Sequence, residues 1–273
     1  AVMEDLLQKK DDSFKVKNEE LTVFFSDLRD FTKISEKLND PKELINLLNL
    51  YMEPMTQKII EKEGTIDKFI GDAIMAYWNA PQECINHADY AVSCALNQLK
   101  ALKELNVKIQ DQYDIELDIG IGINSGLCTV GEMGSIGRSD YTIIGDNVNL
   151  ASRVEGLTKF FGVKLIITQQ TKILLKENYK IRELATVKVK GKDTPTILFE
   201  VVGFDSTVTE EDLLYNEALE NYKKGNIIKA QEQFIQLNNN KPLKICKLYI
   251  DSCQKYSKLP QKEFTSIFDL DFK

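Results

Sequence analysis

Two aspartates and their surroundings are the first features of this 273-residue chain with a chemical reading. Asp27 falls in Phe24-Phe-Ser-Asp-Leu-Arg-Asp-Phe-Thr32, where a compact apolar run ends and a helical pattern begins. At such a junction backbone N–H groups point outward, and a carboxylate can hold a divalent cation over phosphates bound at the helix N-terminus. Asp72 falls in Lys68-Phe-Ile-Gly-Asp72, at the turn of a hairpin. Two carboxylates at neighbouring strand ends make a two-metal clamp for phosphoryl chemistry, although either alone is equally well a cap or turn residue. Lys68 lies inside an otherwise apolar strand, where a charge is costly unless paired or set in a cleft. Its plain alternative is an edge-strand lysine whose stem lies along apolar surface. Asn149 and Arg153 are four apart, so both project from one face of the helix that follows Gly145-Asp146. There an amide and a guanidinium can hold a ribose and stabilise charge developing on a transferring phosphoryl group. Decoration of a solvated helix is the commoner fate of such a pair.

Composition narrows the chemistry further. There is one histidine, His87, so a His-rich metal site is excluded and any Ser-His-Asp or Cys-His mechanism would run through one imidazole. We read His87 as a structural helix residue. Lys and Arg number 35 against 42 Asp and Glu, a formal charge of −7, which argues against a nucleic-acid partner. Cys84, Cys94, Cys128, Cys246 and Cys253 form no CxxC pair and are expected to be free core thiols in a reducing compartment. A cytoplasmic location follows as the expectation, either as a whole protein or as the cytoplasmic part of a membrane-anchored receptor. No apolar stretch reaches the ~18 to 20 residues that span a bilayer, and there is no signal-peptide pattern. The opening Ala1-Val-Met-Glu-Asp suggests a fragment whose upstream sensor region is missing.

The elements that must position these residues can be read from periodicity. Residues 1–20 are polar and read as a leader. Leu21-Thr-Val-Phe-Phe25 reads as a strand. From Pro41, apolar residues at Leu44, Leu47, Leu48, Tyr51, Met55 and Ile59 recur at helical spacing until Gly64. The segment 65–78 folds as two strands about Gly71-Asp72, and a helix runs from about Cys84 to Leu105. Glu116–Asn124 alternates as a half-buried strand, after which Gly126, Gly131, Gly134 and Gly137 predict turns. Strands at 141–144 and 164–168 flank a helix over 148–161, and a hairpin over 186–190 and 196–202 closes the unit near Gly203. The fold class is therefore α/β, a sandwich with a mixed, largely antiparallel sheet covered by helices. Residues 205–273 read as helical, beginning with a helix-turn-helix of tetratricopeptide size. One such unit is too few for a solenoid, so it is expected to dock on its neighbour or to offer a partner surface.

Three segments, Phe24-Phe-Ser-Asp-Leu-Arg-Asp-Phe-Thr32, Lys68-Phe-Ile-Gly-Asp72 and Tyr141-Thr-Ile-Ile-Gly-Asp-Asn-Val-Asn-Leu-Ala-Ser-Arg153, resemble in order and spacing the signature segments of class III nucleotidyl cyclase catalytic domains. The resemblance covers residues 21–203 and implies a catalytic domain over 21–204 of ferredoxin-like architecture. It implies that Asp27 and Asp72, with the Leu28 carbonyl, bind two Mg2+ or Mn2+ ions per active site. It makes Lys68 and Thr142 the purine-reading pair, Asn149 the ribose-orienting residue and Arg153 the transition-state stabiliser. Lys190 and, more loosely, Arg138 are the expected triphosphate contacts. A Lys/Thr pair resembles the adenylate-forming branch, so the implied reaction converts ATP to 3′,5′-cyclic AMP and pyrophosphate. Sites of this family are shared across a two-fold interface, which implies a homodimer. The alternatives are a guanylate cyclase, a catalytically weak nucleotide-binding or regulatory module, and an adaptor whose protein partner binds the helices of 205–273. Two positions depart from the pattern: Asp30 stands where glycine is frequent, and Asn147 where threonine is.

Overall fold

Strand β1 (Lys17–Leu28) is the spine of the first of two units into which the chain divides. The structure is a computed structural model that describes residues 16–135, 138–189, 194–260 and 263–270. The first unit holds residues up to 156 together with 164–177, and the second holds 157–163 and 178–273.

In the first unit β1 pairs antiparallel with β3 (Ala73–Trp78) on one side and with β4 (Ile119–Ser135) on the other. Outside β3 lies β2 (Thr65–Ile70), and β4 also carries β5 (Arg138–Ile144) antiparallel and β6 (Leu165–Thr168) parallel. The sheet is mixed and mostly antiparallel, as expected. Its buried face includes Leu21, Val23, Phe25, Met75, Tyr77, Val130 and Ile143, which pack with Val148 and Ala151.

Helix α1 (Phe31–Leu38) follows β1 and α2 (Pro41–Glu61) follows α1. Proline at the first turn needs no N–H partner, and the Asp40 carboxylate accepts from the Lys42 N–H at 2.8 Å, so α2 starts where its sequence indicates. Leu47, Tyr51, Met55 and Ile59, four apart, form its buried stripe. Helix α3 spans His87–Tyr113, starting three residues later and ending eight later than its periodicity suggests. The Asn79 side chain accepts from the Cys84 N–H, holding residues 79–84 outside the helix. His87 is indeed structural: it is 7% exposed, and its Nδ1 lies 2.6 Å from Thr22 Oγ1. All five cysteines are free and buried.

The expected turns at Gly126, Gly131 and Gly134 are not there; all three lie inside the 17-residue β4, while Gly137 lies outside the described residues. β4 is paired along both edges, with β1 from Ile119 to Val130 and with β5 from Thr129 to Ser135. Those ladders outweigh the local weakness of glycine in a strand, and Gly126 and Gly131 serve close approach instead. A Cβ on Gly131 would meet the Val16 backbone at 2.9 Å. Helix α4 (Asp146–Phe161) follows β5, and the short α5 (Gln169–Leu174), capped by Thr168, follows β6.

In the second unit β7 (Lys180–Val189) pairs antiparallel with β8 (Thr196–Gly203), beginning six residues before the expected strand. Helices α6 (Glu210–Lys223), α7 (Ile227–Asn240) and α8 (Lys244–Tyr256) follow, the first opened by a reciprocal Thr209–Asp212 cap. Their aromatic residues interlock, with Phe234 stacked on Tyr249 at 4.7 Å and Tyr222 edge-on to Tyr249 at 4.8 Å. Tyr215 and Tyr249 donate their hydroxyls to the carbonyls of Glu183 and Leu184, which moors the helices to β7. A last strand, β9 (Ile267–Leu270), pairs parallel with β7; nothing in its four residues announced it. Among the described residues no helix is long and apolar enough to cross a membrane.

Candidate active site

Asp27 and Asp72 come together because of strand register. Antiparallel pairing sets Ser26 opposite Ile74, so the next residue of β1 runs level with the start of β3, beside the β2–β3 turn. That turn is two residues, Gly71-Asp72, between the paired Ile70 and Ala73. Gly71 takes φ 67°, which a two-residue hairpin requires and glycine adopts without steric cost. Burial, and then the adjacent Asp72 carboxyl, raise the Asp27 pKa to about 7, with the Leu28 backbone opposing.

Asn149 and Arg153 are both exposed on α4, whose opposite face buries Leu150, Ala151, Val154 and Leu157. The helix is set by two contacts with β4. At Gly122 an added Cβ would lie 2.1 Å from the Glu155 backbone nitrogen and 2.7 Å from the Ala151 carbonyl, so the helix rests directly on the strand. At its N-terminus the Asn147 amide donates to the Leu127 carbonyl at 2.9 Å, and Asn124 donates to the Asn147 carbonyl at 2.9 Å. Asn147 thus ties the helix start to β4, a role that its departure from the family pattern did not suggest.

Lys68 and Thr142 lie on β2 and β5, with β3, β1 and β4 between them in the sheet. They nevertheless meet at one atom. The Thr142 hydroxyl donates to Asp67 Oδ2 at 3.0 Å, and the Lys68 ammonium lies 3.2 Å from the same oxygen. The register of β2 against β3 shifts between Ile66 and Lys68, a bulge that leaves Asp67 out of the strand pairing and beside Lys68. Arg138 opens β5, and Lys190 lies outside the described residues.

Three residues that sequence reading passed over belong to this region. Asp67 has a fully buried side chain; an aspartate inside an apolar strand was the available signal. Glu155 follows Arg153 by two positions and so faces inward. Its pKa is pushed up to about 8, by burial first, then by the charges of Asp27 and Asp72, with Arg29 opposing. Tyr51 of α2 is fully buried, and burial holds its phenol far above the ordinary range, with Asp27, Asp72 and Glu155 adding to the effect. Neither residue stands in a recognisable motif; only packing brings them here.

The Asp27–Asp72 pair suits a hard divalent cation. The Asp72 carboxyl raises the proton affinity of Asp27, and a shared cation relieves that repulsion; oxygen donors of this kind match Mg2+ or Mn2+. Among the described residues there is no cluster of three or more His, Cys, Asp or Glu of metal-ligating geometry. Two carboxylates with a backbone carbonyl are a donor set that leaves room for substrate phosphates, as Mg2+ sites commonly do.

The profile of the adenylate and guanylate cyclase catalytic domain matches residues 15–201, and the chain belongs to that family. Adenylate cyclase 1 of Rhizobium meliloti (strain 1021) is 36% identical over 185 residues, covering 68% of this chain. The chain spans 28% of that relative's length. Among solved structures, the adenylyl cyclase CyaB from P. aeruginosa is similar with a TM-score of 0.65 at 37% identity, over 71% of this chain and 100% of that one. The guanylyl cyclase Cya2 is similar with a TM-score of 0.64 at 34% identity, over 71% of this chain and 95% of that one.

Proposed function

We propose that this chain is an adenylate cyclase that converts ATP to 3′,5′-cyclic AMP and pyrophosphate, at sites shared across a homodimer. The observation that carries the reading is the meeting of Lys68 and Thr142 at one carboxylate oxygen. An ammonium only donates, so Lys68 suits the N1 acceptor of adenine and cannot accept the N–H groups of the guanine edge. The relatives named adenylate cyclase support the same choice.

In this reading residues 21–204 are the catalytic domain and 205–273 a helical extension that offers a surface to a protein partner. Asp27, Asp72 and the Leu28 carbonyl would hold the two ions. When bound, Mg2+ or Mn2+ would neutralise phosphate charge and lower the pKa of the ribose 3′-hydroxyl. Asn149 holds the ribose so that this hydroxyl lies in line with the α-phosphorus. Arg153 donates to the oxygens that gain charge as pyrophosphate leaves. Arg138 and Lys190 contact the triphosphate. No histidine takes part.

Dimerisation is supported by apolar side chains left exposed on β2 and β5, which carry Lys68 and Thr142, namely Phe69, Ile70 and Ile144, and by Leu127 on β4, each more than half exposed. The purine, ribose and arginine residues would face the metal aspartates of the partner. A cytoplasmic setting fits this role, either as a whole protein or as the cytoplasmic part of a membrane-anchored receptor.

The test is product formation from ATP and GTP side by side, with Mg2+ or Mn2+. Cyclic AMP from ATP at a clearly higher kcat/KM is expected. Preference for GTP makes the chain a guanylate cyclase, and nucleotide binding without either product makes it a regulatory module.

A further inference from the structure

Asp67 has no place in the reaction as described, yet it holds both residues that read the purine. Its side chain is fully buried, its Oδ2 binds Thr142 and Lys68 together, and its Oδ1 has no hydrogen-bond partner among the described residues. Thr142 itself is 8% exposed, so its hydroxyl has few other choices.

The direction of the Thr142–Asp67 hydrogen bond matters. A carboxylate oxygen can only accept, so the Thr142 proton is committed to Asp67, and only the lone pairs of Thr142 Oγ1 remain for a ligand. An acceptor at that position matches the exocyclic amino group of adenine, a donor, and opposes the carbonyl O6 of guanine, an acceptor. Lys68, held by the same oxygen, presents a donor to purine N1, which accepts in adenine and carries a hydrogen in guanine. Without Asp67 the threonine hydroxyl rotates freely and donates to O6 as readily as it accepts from an amino group.

We propose that Asp67 is a positioning residue that sets purine specificity: it fixes Thr142 as an acceptor and Lys68 as a donor, the pattern complementary to adenine. This inference rests on the adenylate cyclase reading and adds to it a residue that never touches substrate. The β2 bulge acquires a purpose, since it falls at Asp67 and takes that residue out of the pairing with β3.

Asp67→Asn tests it. The amide keeps the shape of the carboxyl but removes the charge that holds Lys68, and wherever its NH2 rather than its oxygen faces Thr142 Oγ1 the hydroxyl proton turns toward the ligand. The wild-type protein and the variant are each assayed with ATP and GTP. The ATP:GTP ratio of kcat/KM should fall roughly ten- to a hundredfold, the cost range of one mispaired buried polar group. The loss should appear in KM for ATP, with GTP turnover unchanged or raised. Because both nucleotides are measured on one sample, partial misfolding cancels from the ratio, and the same ratio from nucleotide Kd values serves if turnover is slow. In a Thr142→Val background most of the Asp67→Asn shift should vanish. An equal fall for both nucleotides, leaving the ratio unchanged, overturns the proposal, as does a full shift in the Thr142→Val background. A wild-type preference for GTP is a different result: it removes the adenylate reading before any variant is made.

Discussion

The backbone of Glu155 lies against Gly122 so closely that a single methyl group on that glycine would stand 2.1 Å from the Glu155 nitrogen. Backbone cannot yield as a side-chain tip can, so Gly122→Ala must push α4 off β4. Asn149 and Arg153 ride on that helix. We expect a stability loss of about 1–3 kcal/mol and a loss of activity of more than about tenfold, since small misplacement of catalytic groups is costly. Thermal unfolding and cyclase assays on the same preparation check this. Full activity with only lowered stability would show that the helix position is not critical.

The acidic pair predicts a pH effect in the metal-free protein. Asp27 is raised to about 7 in the fold, above its ordinary value near 4 when unfolded. The folded state therefore holds a proton that the unfolded chain has released, and this contribution to stability is present at low pH and lost as pH rises through about 7. In EDTA, melting temperature should fall between pH 5.5 and 7.5, less steeply in Asp27→Asn. Added Mg2+ should restore much of the loss in the wild type only. Identical slopes for the two proteins would show that the Asp27 carboxyl is not held up.

Mixing Asp72→Ala chains with Arg153→Ala chains tests the shared site. Each variant alone should be inactive. At equal amounts about half of the dimers are mixed and each has one intact site, so about a quarter of wild-type activity should return. No recovery after subunit exchange argues that each chain builds its own site.

His87 is buried and hydrogen-bonded, as a structural residue would be. Its ring accepts from or donates to Thr22, which also bonds Ser125 and, through it, reaches Thr171. Burial lowers its pKa, which keeps it neutral. His87→Ala should cost about 1–3 kcal/mol through the stranded hydroxyl network, with turnover per folded molecule within about twofold. Loss of turnover at intact stability would give the imidazole a chemical role.

Asp30 sits at φ 55°, the left-handed region that glycine fills without a Cβ. Its charge lies at the N-terminus of α1, where bound phosphates would be favoured by the helix dipole and opposed by a carboxylate. Asp30→Gly should change stability by no more than about 1 kcal/mol and lower KM for ATP a few-fold. A raised KM would instead make Asp30 a helper in cation binding.

Much of this site was legible before any folding. The residue types at 27, 72, 149 and 153, and the turn at Gly71-Asp72, follow from local rules: a two-residue hairpin needs glycine, and residues four apart share a helix face. The stripe of α2 and its start at Pro41 were equally plain. What failed was β4, where glycines announced turns but hydrogen-bond ladders on both edges overrode them.

The sequence by itself determined the chemistry available, namely two carboxylates, a lysine, an asparagine and an arginine, with one histidine too few for most alternatives. Tertiary structure alone decided which of them meet. Asp27 reaches Asp72 through strand register, and Thr142 reaches Asp67 across a sheet whose intervening strands separate them by 75 positions in sequence. Glu155 and Tyr51 join the acidic pair only through packing. Propensity and periodicity act over a few residues, whereas burial and electrostatic coupling act over a few ångströms, and only the folded chain makes those two distances coincide.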